Sequence, residues 1–400
     1  MKNRTAVIGG GYGGMAAAIF EKKNGNEVTV FERQDGLGKK LLLTGNGRCN
    51  ISNESIDVSD YLTDDTEKLK AILDRFGRMK EDEFFSSLGL LIRNDRGCMY
   101  PLTGKAKTVG NCLRYAINEL GVDVRTDCFV TSMVKKSDGT FEISIGPDVY
   151  GGFEKVILAS GGMAGIYDES LKNGNGLAEA CGHKLIKGHP GLVAVICSDD
   201  KKKLKKLEGI RIRAAASVLK NNKEIASEEG EIQHTADGVS GIPVFGLSRY
   251  LDDMRDTVIR MDYLPGVSFD EFKTRSLSFS KRSVETFLEG MVLSPIAEMA
   301  ASDCGINYHT RLAGLSGTDI EKLYHSLKAA DFHPQQLNGY KKAQISTGGV
   351  PLSEVDDNMQ SVYCEGLYLV GEVLNVAGRC GGYNLHFSAA SAYCACNAPE

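Results

Sequence analysis

An α/β fold whose dinucleotide-binding sheet is split by an insertion is what this 400-residue chain predicts, and three observations carry that reading. The first is the run Val7-Ile8-Gly9-Gly10-Gly11-Tyr12-Gly13-Gly14, where Gly9, Gly11 and Gly14 fit G-x-G-x-x-G between an apolar strand and a small-residue helix. The second is Glu32, an acid closing the next apolar run, at about the 20-residue spacing of a ribose partner in dinucleotide folds. The third is the return of glycine-rich turns between Gln344 and Asn384, after a middle region that lacks them.

Each part of the fingerprint has a physical reading. Gly9 lets the chain turn, Gly11 lets the backbone approach a pyrophosphate, and Gly14 lets the helix lie close to the strands. The helix N-terminus offers unpaired N–H groups and partial positive charge to phosphates. Ala6–Ile8 is the first strand, Met15–Phe20 the helix and Val28–Phe31 the second strand. From Gly36 to Asn53 three more glycines (Gly38, Gly45, Gly47) alternate with Lys40, Thr44, Arg48 and Asn50, a loop composed for a ligand. Between Glu67 and Leu88 apolar residues recur at mostly helical spacing, which predicts two packed helices. A turn at Met99–Ala106 leads into a helix over Val109–Leu120. Strands follow at Val122–Val124, Phe129–Val134 and Phe141–Ile145, the last two as a hairpin around Ser137-Asp138-Gly139.

Val156–Leu158, ending in Ala159-Ser160-Gly161-Gly162, reads as a buried parallel strand returning to the nucleotide sheet. Past His189-Pro190-Gly191 the texture changes, with strands at Leu192–Cys197 and Ile210–Leu219. The run Lys201–Lys206 reads as a solvated loop, and Gly238–Pro243 opens a helical segment. Signals over Ser268–Leu327 are mainly helical. Gly366–Glu372 is then a strand ending in a polar turn, and Gly378–Asn384 opens a terminal helix rich in alanine and serine.

Composition narrows the function. A net charge of -5 leaves no basic surplus for phosphate backbones, so nucleic acid is not an expected partner. Forty-six glycines exceed the usual share of about 7% and cluster in motifs, as ligand-binding turns would. Eleven cysteines without a C-x-x-C, and no leader ahead of the first strand, point to reduced thiols in the cytoplasm. The seven histidines lack metal-ligand spacing, and no apolar run is long enough to cross a bilayer, so neither a metal nor a membrane is expected.

Taken together, these blocks resemble the glutathione-reductase-type FAD proteins, and more narrowly the bile-acid-inducible (BaiN/YhiN-like) flavoprotein family. The narrower resemblance rests on T-G-N-G-R-C-N-I-S-N (Thr44–Asn53), G-V-S-G-I-P (Gly238–Pro243), S-T-G-G-V (Ser346–Val350), G-L-Y-L-V-G-E (Gly366–Glu372) and G-G-Y-N-L (Gly381–Leu385), in order along nearly the whole chain. Asn46 stands where glycine is common, and Asn375 where an aspartate is common. The resemblance implies a Rossmann-like FAD-binding domain over residues 1–190 and 344–400. It also implies an inserted β-barrel domain over 191–245 and 329–343 and a helical subdomain over 246–328.

It implies site residues as well. Gly9, Gly11, Tyr12, Gly13, Gly14, Glu32 and Arg33 would serve the adenosine and pyrophosphate. Lys40, Thr44, Gly45, Gly47, Arg48, Cys49 and Asn50 would lie along the pyrophosphate and flavin, and Val130 would pair its backbone with adenine. Ala159, Ser160 and Gly161 would flank the cofactor, and Gly371 with Glu372 would close over the phosphate and ribityl chain. Gly382, Asn384 and Leu385 would begin a helix aimed at the flavin pyrimidine. Tyr383 and His386 are candidate proton donors, with packing as the other reading. Cys49 and Cys380 sit beside glycine motifs but lack the paired spacing of disulfide reductases.

The activity so implied is flavin-mediated hydride transfer: reduction of a C=C bond in a steroid-like or other enone, a small-molecule substrate, with NADH or NADPH as donor. Only one full fingerprint is present, so a nicotinamide would bind without a Rossmann domain of its own. Two alternatives stand beside it: an oxidase of amines or aminoketones using oxygen, and a non-catalytic flavin-binding or RNA-modification accessory protein. The oligomeric state is not legible.

Overall fold

The protein is described by a computed structural model over residues 3–165 and 174–398. It divides into two compact units, residues 1–189 with 344–400, and residues 190–343.

The first unit is built on a five-stranded sheet in the order Leu367–Leu369, Lys155–Leu158, Arg4–Ile8, Glu27–Phe31, Asp123–Arg125. All four pairings are parallel, with Ile8 level with both Leu158 and Phe31. Continuous apolar runs suit this sheet because both of its faces are covered. Ala6, Val7, Val30, Val156, Ile157 and Leu158 are fully buried. The helix Tyr12–Lys23 makes the first crossover and packs on the terminal helix Tyr383–Cys396. Both carry buried alanines (Ala16, Ala17, Ala389, Ala390), small enough to let packed backbones approach closely. Glu21, 1% exposed, ties the layers together: it accepts from Thr5 Oγ1 at 3.0 Å and pairs with Lys155 Nζ at 2.8 Å.

The region over Glu67–Leu88 forms two helices, Thr66–Arg75 and Arg78–Ser87. The expected hairpin is present, but its first strand is Ser132–Lys135 and a third strand, Asp148–Phe153, extends the sheet. Val130 therefore lies ahead of the strand rather than within it.

The second unit holds a seven-stranded antiparallel sheet in the order Ala330–Phe332, Thr257–Asp262, Arg211–Lys220, Lys223–Thr235, Gly238–Gly241, Val195–Cys197, Pro334–Leu337. Its long central hairpin turns at Asn221 and Asn222, both with positive φ (51° and 62°), the conformation that two-residue hairpin loops require. The span 246–328 contains the helices Phe269–Ser278, Val284–Leu288, Ser294–Asp303 and Gly317–Lys328, and also the sheet strand Thr257–Asp262. The lysine run corrects the loop expectation: Lys201–Leu207 is a helix. Asp200 caps it through the amides of Lys202 and Lys203, and Leu204 and Leu207, three residues apart, fix its buried face.

Candidate functional site

In parallel α/β sheets ligands collect beyond the carboxyl ends of the strands, and the predicted residues of the first unit gather there. The helix Tyr12–Lys23 begins at Gly11 with no side-chain cap and no acid in its first turn, so its leading N–H groups face outward uncompensated. The fingerprint glycines divide into two kinds. A Cβ on Gly9, whose φ is +105°, would stand 2.4 Å from the Ala159 carbonyl oxygen, and one on Gly14 would stand 1.9 Å from the Gly9 carbonyl oxygen. Those two positions are glycine because the chain packs against itself. A Cβ on Gly11 would meet nothing within 4 Å. That face of the backbone is open. Gly13 is tighter, 3.2 Å from Val370.

Glu32 is 8% exposed, and its two carboxylate oxygens accept from Gly10 N (2.6 Å) and Gln34 N (2.8 Å). It lines a cavity together with Ile8, Gly9, Phe31, Arg33, Cys128, Phe129, Val130, Ser160, Gly174 and Leu177. Cys128 N donates to Glu32 O at 2.9 Å, so the segment carrying Val130 is laid along the end of the Glu32 strand. Five buried polar atoms have no hydrogen-bond partner among the described residues: Tyr12 OH, Asn50 Oδ1, Ser160 Oγ, Asn175 Oδ1 and His234 Nδ1. The first three belong to predicted positions, and such orphans call for a partner beyond the protein chain.

A second group assembles at the same edge. Gly38 N donates to Gly10 O, which brings the Gly36–Asn53 segment to the fingerprint. Lys40 Nζ pairs with Glu372 Oε2 at 2.8 Å, while Glu372 Oε1 accepts from Ser346 N (2.9 Å) and Ser346 Oγ (3.0 Å). Ser346 Oγ accepts in turn from Met163 N at 2.9 Å. A Cβ on Gly162 would fall 1.9 Å from Ser346 Oγ. Ser346, Met163 and Gly162 lie outside the site that the sequence predicts, because spacing along S-T-G-G cannot place that motif beside Glu372.

Other predicted residues are engaged elsewhere. Thr44 Oγ1 donates to Leu41 O at 2.6 Å. Arg48 lies over the Tyr100 ring at 4.8 Å with Asp95 at 3.9 Å. Cys49 is fully buried, and burial pushes its thiol up to about 12, with a smaller opposing effect from the Thr44 hydroxyl. That is the reverse of a reactive thiolate. Gly45 and Gly47 have positive φ; a Cβ on Gly45 would touch the Arg48 Cβ at 3.7 Å, while Gly47 and Gly161 are open. Gly371 N donates to Ser391 Oγ.

At the terminal helix the side chains serve the fold. Asn384 brackets Gly378, accepting from its N at 2.8 Å and donating to its O at 2.9 Å. A Cβ on Gly382 would lie 2.4 Å from Ser52 O, so that glycine admits the neighbouring backbone, and Leu385 packs on the core. Tyr383 is buried, and its hydroxyl accepts from Arg379 at 3.1 Å. Burial raises its phenol, partly offset by Arg379. His386 is 4% exposed, with Nδ1 2.8 Å from Glu81 Oε1 and 3.2 Å from Ser52 Oγ, and its ring rests near Phe76. The packing reading describes His386 better than an exposed proton donor does. Among the described residues no cluster of His, Cys, Asp or Glu could hold a metal ion, and no helix is long and apolar enough to cross a membrane.

Fold and site thus define a dinucleotide-binding α/β protein with a large antiparallel insertion. The chain belongs to the HI0933-like protein Rossmann domain family, whose match runs over residues 3–398. The resemblance drawn from the motifs is borne out. The chain is 34% identical over 98% of both chains to the 3-dehydro-bile acid delta(4,6)-reductase of Clostridium scindens. It is 25% identical to the ribosomal RNA dihydrouridine synthase of Haemophilus influenzae, over 97% of this chain and 96% of that one. Among solved structures, 3-ketosteroid delta1-dehydrogenase from Sterolibacterium denitrificans shares the fold across 99% of both chains, with TM-score 0.51 and 12% identity.

Proposed function

We propose that this chain is an FAD-dependent oxidoreductase that saturates a C=C bond conjugated to a carbonyl in a small steroid-like or related enone, with NADH or NADPH as donor. The observation that carries the cofactor reading is the open face of Gly11 at an uncapped helix N-terminus, beside the cavity closed by Glu32. Glu32, already held by two backbone amides, keeps acceptor capacity for the adenosine ribose hydroxyls. The first-turn amides receive the pyrophosphate, and the orphaned Ser160 and Tyr12 hydroxyls gain partners when the dinucleotide is bound. Lys40, positioned by Glu372 and Ser346, places a cation on the phosphate side. When bound, the flavin supplies two-electron hydride chemistry, and the protein orients it and tunes its electrostatics.

The substrate class draws support from the reductase of 34% identity. The inserted sheet (191–245 and 329–343), in this reading a β-barrel, and the helical span (246–328) would form the substrate-binding part of a cytoplasmic enzyme. An RNA uracil, the substrate class suggested by the synthase of 25% identity, is disfavoured by charge. Several cations of the insert are paired with acids: Lys203 with Asp303, Lys206 with Glu298, Arg211 with Glu231 and Arg213 with Glu229. The test is an anaerobic titration of the purified yellow protein with NADH and NADPH, followed by addition of a 4-en-3-one steroid. Bleaching by a nicotinamide and recovery of colour on adding the steroid are expected, with FAD rather than FMN released on denaturation. A colourless protein that FAD cannot reconstitute would overturn the cofactor reading. Peroxide release with an amine, and no response to the enone, would replace the reductase by an oxidase.

A further inference from the structure

We propose that Cys181 and Cys364 form an oxidisable dithiol, which a peroxide converts to an intrachain disulfide. It would join the end of the helix Asn175–Ala180 to the turn ahead of the strand Leu367–Leu369. The residues next to the two cysteines are already locked together. A Cβ on Gly182 would lie 3.6 Å from the Cβ of Tyr363. His183 Nε2 is 2.7 Å from Ser361 Oγ, and its ring meets Tyr363 edge-on at 5.3 Å. Glu354 fixes the other face of that imidazole at 3.0 Å from Nδ1, and Ser361 Oγ also accepts from Cys364 N at 3.0 Å. The turn and the helix end are therefore held in register from both sides, which brings the side chains of Cys181 and Cys364 together between them.

The two sulfurs are not equivalent. The neighbouring Cys364 sulfur, together with burial, holds the proton on Cys181. The Cys181 thiol in turn brings Cys364 down to about 7, against burial and with help from the Lys135 ammonium. Cys49, Cys112, Cys128, Cys197, Cys304, Cys394 and Cys396 are all shifted the opposite way, with burial as the largest cause. Cys364 is the more thiolate-prone sulfur of the pair, and Cys181 is a resolving thiol within reach. Both are only partly buried, and their neighbours Val362 and Tyr363 are 55% and 53% exposed, so a small oxidant has access.

The chemistry closes without a metal or cofactor. The Cys364 thiolate attacks one oxygen of hydrogen peroxide; the O–O bond breaks, a sulfenic acid forms, and the leaving hydroxide takes up the proton that Cys364 gave to solvent, becoming water. The Cys181 sulfur then attacks the sulfenic sulfur, the S–O bond breaks, and water departs with the Cys181 proton. Two thiols and one peroxide yield one disulfide and two waters, the sulfurs losing two electrons and the peroxide gaining them.

The full-length, fully reduced protein should be treated with a stoichiometric amount of hydrogen peroxide, alkylated, and mapped by mass spectrometry without reduction. A peptide linking Cys181 to Cys364 should appear before the other nine cysteines react, and dithiothreitol should remove it. In Cys181→Ser, Cys364 should accumulate as a sulfenic acid trapped by dimedone, and in Cys364→Ser the dimedone adduct should be absent from Cys181. Absence of the linked peptide while other cysteines oxidise at the same dose would overturn the proposal. So would a link between two chains, seen as a dimer on a non-reducing gel. Because the readout is a covalent bond, it stands apart from the flavoenzyme assignment.

Discussion

Placing a side chain at Gly11 and placing one at Gly14 should damage the protein in different ways, and the contrast separates binding from packing. At Gly14 the added Cβ would sit 1.9 Å from the Gly9 carbonyl oxygen and 3.3 Å from the Ala159 Cβ. The first of these is backbone, which cannot rotate away, and Gly9 is itself pinned at φ +105° against Ala159. Forcing one methyl into a filled site costs about 1–3 kcal/mol. For a unit of this size that lowers Tm by roughly 2–12 °C. At Gly11 nothing lies within 4 Å of the new Cβ and φ is -71°, so valine fits the free protein. The change there is the weaker N-cap of an apolar residue, about 1 kcal/mol or less. The cost instead falls on the ligand. Displacing a phosphate from one charge-assisted N–H bond loses about 1.5–3 kcal/mol, or roughly 10- to 150-fold in Kd. The assay is a melt of each apoprotein beside an FAD titration followed by flavin fluorescence. Gly11→Val should melt near wild type and bind FAD at least tenfold more weakly, and apo Gly14→Ala should melt early. Wild-type FAD affinity in Gly11→Val, or an unchanged melt in Gly14→Ala, would refute the division.

Glu32→Gln should weaken FAD binding but leave FMN binding unaltered, because one amide oxygen must replace two carboxylate oxygens that face Gly10 N and Gln34 N. The unmet donor should also cost about 1–3 kcal/mol in chemical denaturation; equal loss of FAD and FMN affinity would contradict this. His234, fully buried with Nε2 3.0 Å from the Tyr263 hydroxyl, is brought down to about 4 by burial. Its folded value lies below that of the unfolded chain, so the unfolded state takes up the proton first. The insert should hold its full stability above about pH 6.5 and lose up to about 3 kcal/mol as pH falls toward 4. Denaturation of wild type and His234→Gln at both ends of that window should show a flatter dependence in the variant, and parallel curves would exclude His234 as the cause. His386→Ala removes one hydrogen bond from the buried Glu81, which keeps Arg78 at 3.5 Å, a loss of about 1–3 kcal/mol. An unshifted melt with abolished turnover would restore His386 as a proton donor.

The elements most legible in the sequence are those whose burial is uniform along the chain. Val156–Leu158 and the strands around it are buried on both faces, so their apolar runs need no periodicity to be seen. The strand Lys223–Thr235 hides for the opposite reason. Glu224, Glu229 and Glu231 are exposed along it, and Gly230 interrupts the pattern, so strand character comes from pairing with Arg211–Lys220 rather than from local composition. The lysine run failed similarly. Five lysines outweighed the two leucines and the capping aspartate that make it a helix.

The candidate site divides along the same line. Positions fixed by the chain's own backbone, such as Gly9 and Gly14, can be read from spacing, whereas side chains that meet across the fold cannot. Lys40 and Glu372 are 332 residues apart in sequence and 2.8 Å apart in space. Asn375 makes the point most sharply. Read along the chain, it is an amide in a turn where the motif resemblance leads one to expect an acid. In the fold its amide donates to Asp64 Oδ1 at 2.8 Å, and the same carboxylate accepts from Leu352 N and Ser353 N. Burial works against the charge on Asp64, but these hydrogen bonds prevail and hold its carboxyl below the usual range. The acid of this corner is Asp64, 311 residues away in sequence, and Asn375 is one of the donors that hold it there.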